Sequence, residues 1–356
     1  MTEELLILGG AGFVGSSLAL GLKENYPSWK IVCLDNLRRR GSELNLKRLK
    51  QAGIDFVHGD IRFASDLEVD RFSKVRTIVD CSAEPSVLAG ITSPRYVLET
   101  NLLGTMNVIE LARRLSARIL FMSTSRVYSI PELTSLKVEE NSTRLTLCPT
   151  QTAHGVSGMG ITEEFSVNGH RSLYGTTKLA SEMLIEEYKE SFGLAAIVNR
   201  CGVLTGPWQM GKVDQGVFVL WVAAHHFGRK LSYIGFGGTG KQLRDLLHIQ
   251  DLLALVDYQL CHFEQFAGQV FNVGGGMQSS LSLLETTRLC QQITGKSIPI
   301  DQISENRPGD VPLYVSDNSK VTRTTGWRPQ IDPATTLEDI YQWIRENEET
   351  VRPILQ

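Results

Sequence analysis

A glycine-rich turn near the N-terminus constrains the fold of this chain more than any other feature. Gly9, Gly12 and Gly15 follow an apolar run at residues 5–8, and the helical pattern after them predicts a helix that starts near Ser16. Glycines at this G-x-x-G-x-x-G spacing allow a tight turn, close approach of the backbone to a pyrophosphate, and close packing of the helix on the strand. The pattern therefore predicts a strand–turn–helix unit that binds a dinucleotide.

An acidic residue follows the turn at the distance typical of such sites. Asp35 ends the second apolar run, 20 residues after Gly15, where a carboxylate accepts hydrogen bonds from the adenosine ribose. A carboxylate there repels a 2′-phosphate and favours NAD over NADP. The guanidinium groups of residues 38–40 would suit a phosphate, or they lie in a solvated loop. We therefore predict NAD as the cofactor, with a ligand-free glycine turn as the less favoured alternative.

Short apolar runs alternate with helix-length segments over the first two hundred residues, which predicts an α/β fold. The predicted strands comprise residues 5–8, 30–34, 55–58, 77–81, 119–122 and 195–200. Several are apolar throughout, as expected for strands that helices cover on both faces, so we predict a Rossmann-like, doubly wound parallel sheet. We assign residues 1–200 to an NAD-binding domain, to which the chain returns near 244–270. Residues 201–356 are predicted to form mainly a smaller, less regular substrate-binding lobe.

Composition and charge exclude several classes of protein. The 356 residues are 42% hydrophobic and 21% charged, with a net charge of −3, which is typical of a globular enzyme and unsuited to nucleic acid or an anionic membrane. No apolar stretch reaches the roughly 20 residues of a membrane span. Six scattered cysteines without a C-x-x-C pair predict reduced thiols and no metal site. We expect a cytoplasmic protein.

A tyrosine and a lysine four residues apart form the candidate catalytic pair. Tyr174 and Lys178 stand at the start of a predicted helix and share one face. A free tyrosine, with a pKa near 10, is a poor base at neutral pH, and a nearby ammonium lowers that pKa. Thr124 follows the predicted strand at 119–122, at the sheet edge where open α/β sheets bind ligands. The pattern favours deprotonation of an alcohol; the alternative for Ser123 or Thr124 is a helix cap.

These motifs belong to a longer series, over which the chain resembles an extended short-chain dehydrogenase/reductase of the nucleotide-sugar epimerase/dehydratase family. The landmarks in order are the glycine turn, Asp35, Asp60-Ile61, Asn101 with Gly104-Thr105, Thr124, Tyr174 with Lys178, Gly206-Pro207, Arg244-Asp245, Asn272-Val273-Gly274, and Arg307 with Asp310. They span nearly the whole chain. The resemblance implies a homodimer or homotetramer that acts on a nucleotide-diphosphate sugar.

The resemblance also implies the residues of the site. The implied catalytic residues are Thr124, Tyr174 and Lys178. The implied cofactor-binding residues are Gly9, Gly12, Phe13, Val14, Gly15, Asp35, Asn36, Asp60, Ile61, Asn101, Tyr174 and Lys178. The implied substrate-binding residues are Arg244, Arg307, Asp214 and Gln215. Bidentate guanidinium contacts suit a diphosphate, and a surface ion pair is the alternative for either arginine.

Finer similarities concern the substrate. Residues 35–46, 56–60, 214–216 and 240–245 are similar to the corresponding segments of CDP-paratose 2-epimerases. The similarity implies oxidation of a sugar hydroxyl to a transient ketone, at C2 of a CDP-3,6-dideoxyhexose, and reduction from the other face with the same NAD. The alternatives are a UDP-hexose 4-epimerase, a nucleotide-sugar reductase and a non-catalytic cofactor-binding sensor.

Three departures from the family pattern lie near the expected pocket. Val203 stands where many members carry an asparagine that contacts the sugar phosphate, and residues 80–85 replace a turn of the His-x-Ala type. The 4,6-dehydratases carry an acidic pair straight after the catalytic threonine, whereas this chain has Ser125 and Arg126. Dehydration is therefore not expected.

Overall fold

A computed structural model describes residues 3–67, 72–212 and 215–356 of the chain. They group into two compact units of nearly equal length. The first unit comprises Met1–Val127, Ser172–Arg200 and Leu253–Phe271, and the second comprises Tyr128–Arg171, Cys201–Leu252 and Asn272–Gln356.

This division differs from the predicted one in three respects. The second unit is not the smaller one, residues 128–171 belong to it, and the chain returns to the first unit at 253–271 instead of 244–270. Backbone pairing explains why residues 128–171 group as they do. The amide of Leu145 donates to the carbonyl of Lys241, and the amide of Ile161 donates to the carbonyl of Val315, each at 2.8 Å.

The secondary structure alternates between strands and helices through most of the chain. The strands are β1 Glu4–Leu8, β2 Lys30–Asp35, β3 Asp55–His58, β4 Thr77–Asp80, β5 Arg118–Thr124, β6 Val138–Glu140, β7 Leu145–Leu147, β8 Val156–Ser157, β9 Gly160–Ile161, β10 Ala196–Cys201, β11 Val203–Thr205, β12 Leu231–Ile234, β13 Leu243–His248, β14 Val270–Val273, β15 Ser280–Ser282, β16 Ile300–Ile303 and β17 Leu313–Tyr314. The helices are α1 Phe13–Asn25, α2 Asn45–Gln51, α3 Ala64–Leu67, α4 Ala89–Thr92, α5 Pro94–Leu98, α6 Gly104–Leu115, α7 Ile130–Ser135, α8 Leu173–Phe192, α9 Val217–Phe227, α10 Ile249–Cys261, α11 Phe263–Phe266, α12 Leu283–Thr294, α13 Ser319–Thr325, α14 Pro333–Glu346 and α15 Glu348–Leu355. A π-helical turn at Glu99–Leu103 leads into α6, and a 3₁₀ turn at Ser125–Val127 follows β5.

A seven-stranded sheet with the order β3-β2-β1-β4-β5-β10-β14 confirms the predicted Rossmann-like fold. Strand β1 pairs in parallel with β2 and β4, β2 with β3, and β4 with β5. The order reverses between β1 and β4, and open α/β sheets bind their ligands outside the carboxyl ends of the strands at such a switch point. All six predicted strands lie in this sheet, with ends that differ by no more than two residues.

The core explains why these strands are apolar throughout. The four leucine and isoleucine side chains at residues 5–8 are fully buried. Because these side chains alternate between the two faces of β1, both faces of the strand are covered. Helix α6 buries Val108, Ile109 and Ala112 in the cluster that also contains Leu6 and Leu8. Burial of each large side chain of this kind contributes about 1.5–3 kcal/mol to stability.

In the second unit, β13 pairs in parallel with β11 and β17 and antiparallel with β15. Helix α12 follows β15 and starts with a capping box, in which Ser282 and Glu285 bond to each other's backbone amides. Within the described part of the chain, no helix is both long and apolar enough to cross a membrane.

Candidate active site

The glycine turn connects β1 to α1 at the switch point of the sheet. Helix α1 begins at Phe13, three residues before the predicted start at Ser16, so Phe13, Val14 and Gly15 form its first turn. Gly12 is the N-cap, and no side chain caps the helix. The amides of a first turn have no partner within the helix, and together with the helix dipole they favour a bound anion.

The packing around the turn leaves no room for a side chain at Gly10 or Gly15. A Cβ atom at Gly15 would lie 2.2 Å from the carbonyl oxygen of Gly9, and one at Gly10 would lie 2.5 Å from the Cβ atom of Cys33. Gly9 has a φ of +67°, which L side chains rarely adopt. The backbone therefore forms a close cradle at the N-terminus of α1, which fits the pyrophosphate of a dinucleotide.

Asp35, the last residue of β2, lies beside the same turn. One carboxylate oxygen accepts a hydrogen bond from the amide of Ala11 at 3.1 Å, and the other accepts from the amide of Leu37 at 2.8 Å. Burial raises the pKa of this carboxyl, and the backbone hydrogen bonds oppose the rise. Each oxygen keeps a further acceptor position, so the carboxylate could also accept a hydrogen bond from a ribose hydroxyl.

Asn36 and Asp60, two of the predicted cofactor-binding residues, form a polar cluster next to Asp35. The side chain of Asn36 donates to Asp60 at 3.0 Å, and Arg62 forms an ion pair with Asp60 at 2.6 Å. Burial would raise the pKa of Asp60, but the hydrogen bonds from Arg62 and Asn36 lower it below its ordinary value. The Arg38 guanidinium lies 4.1 Å from the centroid of the Tyr96 ring, a cation–π contact.

Two further predicted cofactor contacts are occupied by protein groups. Asn101 is buried, and its amide bonds to the backbone NH and carbonyl of Glu84 at 2.7 and 3.0 Å and to Thr177 at 3.2 Å. Ile61 is buried against Gly104. A Cβ atom at Gly104 would lie 2.5 Å from the Cδ1 atom of Ile61. Asn101 therefore fixes the loop after β4 against the helix that carries Tyr174.

The predicted catalytic residues lie on adjacent elements of the first unit. Thr124 is the last residue of β5, and Tyr174 and Lys178 lie in the first two turns of α8. Helix α8 packs against β5 and against the turn at Ser125–Val127. Ser172 caps α8 by accepting a hydrogen bond from the amide of Gly175 at 3.2 Å.

Buried polar groups fix the strand end and the helix relative to each other. The hydroxyl of Ser123 donates to Glu182, one helical turn beyond Lys178. Glu182 forms an ion pair with Arg200 of β10, with hydrogen bonds of 2.7, 3.1 and 3.2 Å. All three side chains are buried. Sequence reasoning missed this network, and it also missed Asn45, which donates to the carbonyl of Ala11 at 2.8 Å and braces the glycine turn.

The predicted substrate residues lie in the second unit. Arg244 of β13 donates to Asp310 at 2.6 Å and to the carbonyl of Val311 at 2.7 Å, and the amide of Asp310 donates to the carbonyl of Arg307 at 3.2 Å. Arg244, on strand β13, and Arg307, in the turn at 307–310, thus both bond to Asp310. The amide of Gln215 donates to the carbonyl of Lys212 at 3.2 Å, and Asp214 lies outside the described residues.

Comparison with known proteins gives a consistent result. The model of the NAD dependent epimerase/dehydratase family matches residues 5–274. The CDP-paratose 2-epimerase of Salmonella typhi is 32% identical, over 96% of this chain and 98% of that protein. The chain is also similar to a crystal structure of a double mutant of DesIV, a dTDP-glucose 4,6-dehydratase from Streptomyces venezuelae, with NAD bound (TM-score 0.79, 26% identity, 98% of this chain and 99% of that one).

A second solved structure has the same fold. The UDP-glucose 4-epimerase from Thermotoga maritima, crystallised with UDP-glucose, has a TM-score of 0.77 at 24% identity and covers 97% of this chain and 99% of that one. The glycine cradle and Asp35 fit the cofactor that the matching family model names. The chain therefore belongs to the NAD-dependent epimerase/dehydratase family of enzymes, and NAD is its cofactor.

Proposed function

We propose that this enzyme is an epimerase that inverts C2 of a CDP-3,6-dideoxyhexose, converting CDP-paratose to CDP-tyvelose. The observation that carries the proposal is the 32% identity to a CDP-paratose 2-epimerase over 96% of the chain. The similarity at residues 35–46 and 240–245 supports the same substrate.

The proposed proton transfer uses residues of the first unit. Tyr174 takes the proton of a sugar hydroxyl, the positive charge of Lys178 stabilises the phenolate, and Thr124 bonds the same sugar oxygen. NAD, held by the glycine cradle and Asp35, would supply the acceptor and donor of the hydride at the sugar carbon. Tyr174 then gives the proton back to the oxygen of the transient ketone, so the enzyme ends the cycle in its starting state and needs no redox partner.

The turn after Thr124 supports epimerisation over dehydration. Ser125–Val127 forms a 3₁₀ turn, in which the amide of Arg126 donates to the Thr124 hydroxyl oxygen at 3.2 Å. That bond uses the oxygen as an acceptor and leaves the hydroxyl proton for a sugar oxygen. The turn contains no carboxyl group, so it offers no acid next to Thr124 to expel water from the sugar.

We further propose that Arg244 and Arg307 bind the diphosphate of the substrate. Asp310 orients the Arg244 guanidinium through a hydrogen bond of 2.6 Å, and Arg244 is partly exposed, with 16% of its side-chain surface accessible. Three of the five N–H donors of Arg244 bond to Asp310 and to the carbonyls of Val311 and Leu243, which leaves two donors for a phosphate.

A substrate panel tests the proposal. The purified enzyme is incubated separately with CDP-paratose, CDP-tyvelose, UDP-glucose, UDP-galactose and dTDP-glucose, and products are identified by NMR. We expect interconversion of the two CDP sugars and no net change in nicotinamide absorbance. Interconversion of UDP-glucose and UDP-galactose alone would replace the proposal with a UDP-hexose 4-epimerase, and stoichiometric consumption of added NADH would identify a reductase.

A further inference from the structure

Asp80 occupies an unusual position at the carboxyl end of β4. It is fully buried and lies in the segment, residues 80–85, where the sequence departs from the family pattern. The amide and the hydroxyl of Ser82 donate to its Oδ1 at 2.9 and 2.5 Å, whereas its Oδ2 has no hydrogen-bond partner among the described residues. A buried carboxylate with one oxygen unpartnered is costly unless a positive charge lies nearby.

Lys178 supplies a positive charge on the same face of the sheet. Asp80 pairs in register with Phe121 on the neighbouring strand β5, and side chains in register on adjacent strands project from the same face of the sheet. The Nζ atom of Lys178 lies 3.9 Å from the centroid of the Phe121 ring, and Lys178 is only 1% exposed. Burial raises the pKa of Asp80, and the charge of Lys178 opposes that rise.

We propose that Asp80 is a positioning residue for Lys178. The carboxylate of Asp80 keeps the lysine ammonium protonated and in place in an apolar pocket. A buried lysine without a counter-charge loses its proton more easily, because burial disfavours the charged form. A neutral lysine cannot stabilise the phenolate of Tyr174. Only the expected effect of Asp80 on turnover rests on the proposed function, in which Tyr174 transfers the proton.

The other charged groups around α8 are engaged elsewhere. Glu182 on α8 itself is paired with Arg200 of β10. On the packed elements, Glu99 is paired with Arg95 and Glu110 with Arg113, and Tyr188 also donates to Glu110. Further titratable or charged residues on or beside these elements are Tyr174 of α8, Arg126 of the turn after β5, and Cys81 and Glu84 after β4. The Oε1 atom of Glu84 accepts a hydrogen bond from the amide of Ser86.

Direct titration of Lys178 tests the proposal without using turnover. The holoenzyme is labelled with ¹³C at the lysine ε-carbons, the Lys178 resonance is identified by its loss in Lys178→Arg, and its midpoint is followed by NMR. In Asp80→Asn, which keeps the side-chain shape, we expect the midpoint to fall by about one to three pH units. The matched control is Asp257→Asn, at a carboxylate that bonds Asn25, and it should leave the midpoint in place.

Turnover provides a second readout. The alkaline limb of the kcat profile should move to lower pH in Asp80→Asn by the same amount as the lysine midpoint, with little change in KM. An unchanged Lys178 midpoint would overturn the proposal, whatever the activity. A shifted midpoint with an unchanged kcat profile would support the pairing and count instead against the proposed role of Lys178 and Tyr174 in turnover.

If Asp80→Asn does not fold, the pair is tested from the lysine side. Lys178→Met removes the counter-charge, so the folded-state pKa of Asp80 should rise further above its unfolded value. A carboxyl with a raised folded pKa favours folding at low pH, and that contribution is lost as the pH rises through the raised value. We therefore expect the Tm of Lys178→Met to fall from pH 5 to 8 relative to Lys178→Arg, which retains the charge. Parallel Tm profiles would overturn the proposal.

Discussion

The carboxylate of Asp35 accepts a hydrogen bond from the amide of Ala11 at 3.1 Å, so the end of β2 braces the glycine turn that follows β1. Asn45 holds the carbonyl of the same residue at 2.8 Å. The amide and the carbonyl of Ala11 are thus both fixed by side chains from outside the turn. The cradle is preorganised before a ligand arrives, which reduces the entropy that binding must overcome.

We expect the purified enzyme to carry NAD without any being added, because the cradle is preformed and the cycle returns the cofactor unchanged. Acid denaturation followed by chromatography of the supernatant measures the dinucleotide content. Gly15→Ala should lower affinity by about tenfold or more, equivalent to about 1.4 kcal/mol, since its Cβ would lie 2.2 Å from a backbone oxygen. Gly158→Ala is the control, because a Cβ atom there meets nothing within 4 Å. Recovery of NADP(H), or of no dinucleotide, would contradict the prediction.

Replacement of Tyr174 by Phe should lower turnover by about 10²–10⁴-fold, the usual contribution of a general acid–base group. Only the phenolic oxygen is removed, so the Tm and the NAD content should stay close to those of the wild type. Tyr188→Phe is the matched control, because it removes the same atom from the same helix, where the hydroxyl bonds Glu110 at 2.5 Å. Near wild-type turnover in Tyr174→Phe would mean that another group transfers the proton.

The buried ion pair between Glu182 and Arg200 should contribute strongly to stability. Glu182→Gln leaves the buried Arg200 guanidinium without its counter-charge, and breaking one side of such a pair costs about 3–5 kcal/mol. We expect a loss of about that size in the free energy of unfolding, measured with urea. Glu186→Gln, on the same helix but in an exposed pair with Lys189 at 3.0 Å, should change it by about 0.5 kcal/mol or less. Equal effects of the two substitutions would contradict the prediction.

Local patterns predict most of the first unit correctly. Apolar runs predict the strands because helices cover both faces of this sheet, and glycine spacing predicts the turn because only glycine fits there. The start of α1 is predicted three residues late, since the glycines at 12 and 15 lower helix propensity while the turn geometry starts the helix at Phe13. The division into units is less predictable because it depends on which hairpins pair with which distant strands.

The groups that support the site depend on contacts between distant residues. Ser123 and Glu182 are 59 positions apart, and Asn45 lies 34 positions from Ala11. No periodicity or spacing in the sequence predicts such pairs, because the topology of the sheet brings them together. Asp80 is the partial exception, since the departure from the family pattern at residues 80–85 is visible in the sequence.

The last prediction concerns the origin of the hydrogen at the inverted carbon. Tyr174 and Lys178 suit deprotonation of an alcohol, and the glycine cradle with Asp35 holds a hydride acceptor, so the hydrogen should leave and return without mixing with water. A base that removed an acidic C–H proton would instead exchange it with solvent. In D₂O, with CDP-paratose as substrate, mass spectrometry should find no deuterium at the inverted carbon of the product. As the control, substrate deuterated at that carbon should keep its label in H₂O. Solvent deuterium at the inverted carbon would refute epimerisation by a retained hydride.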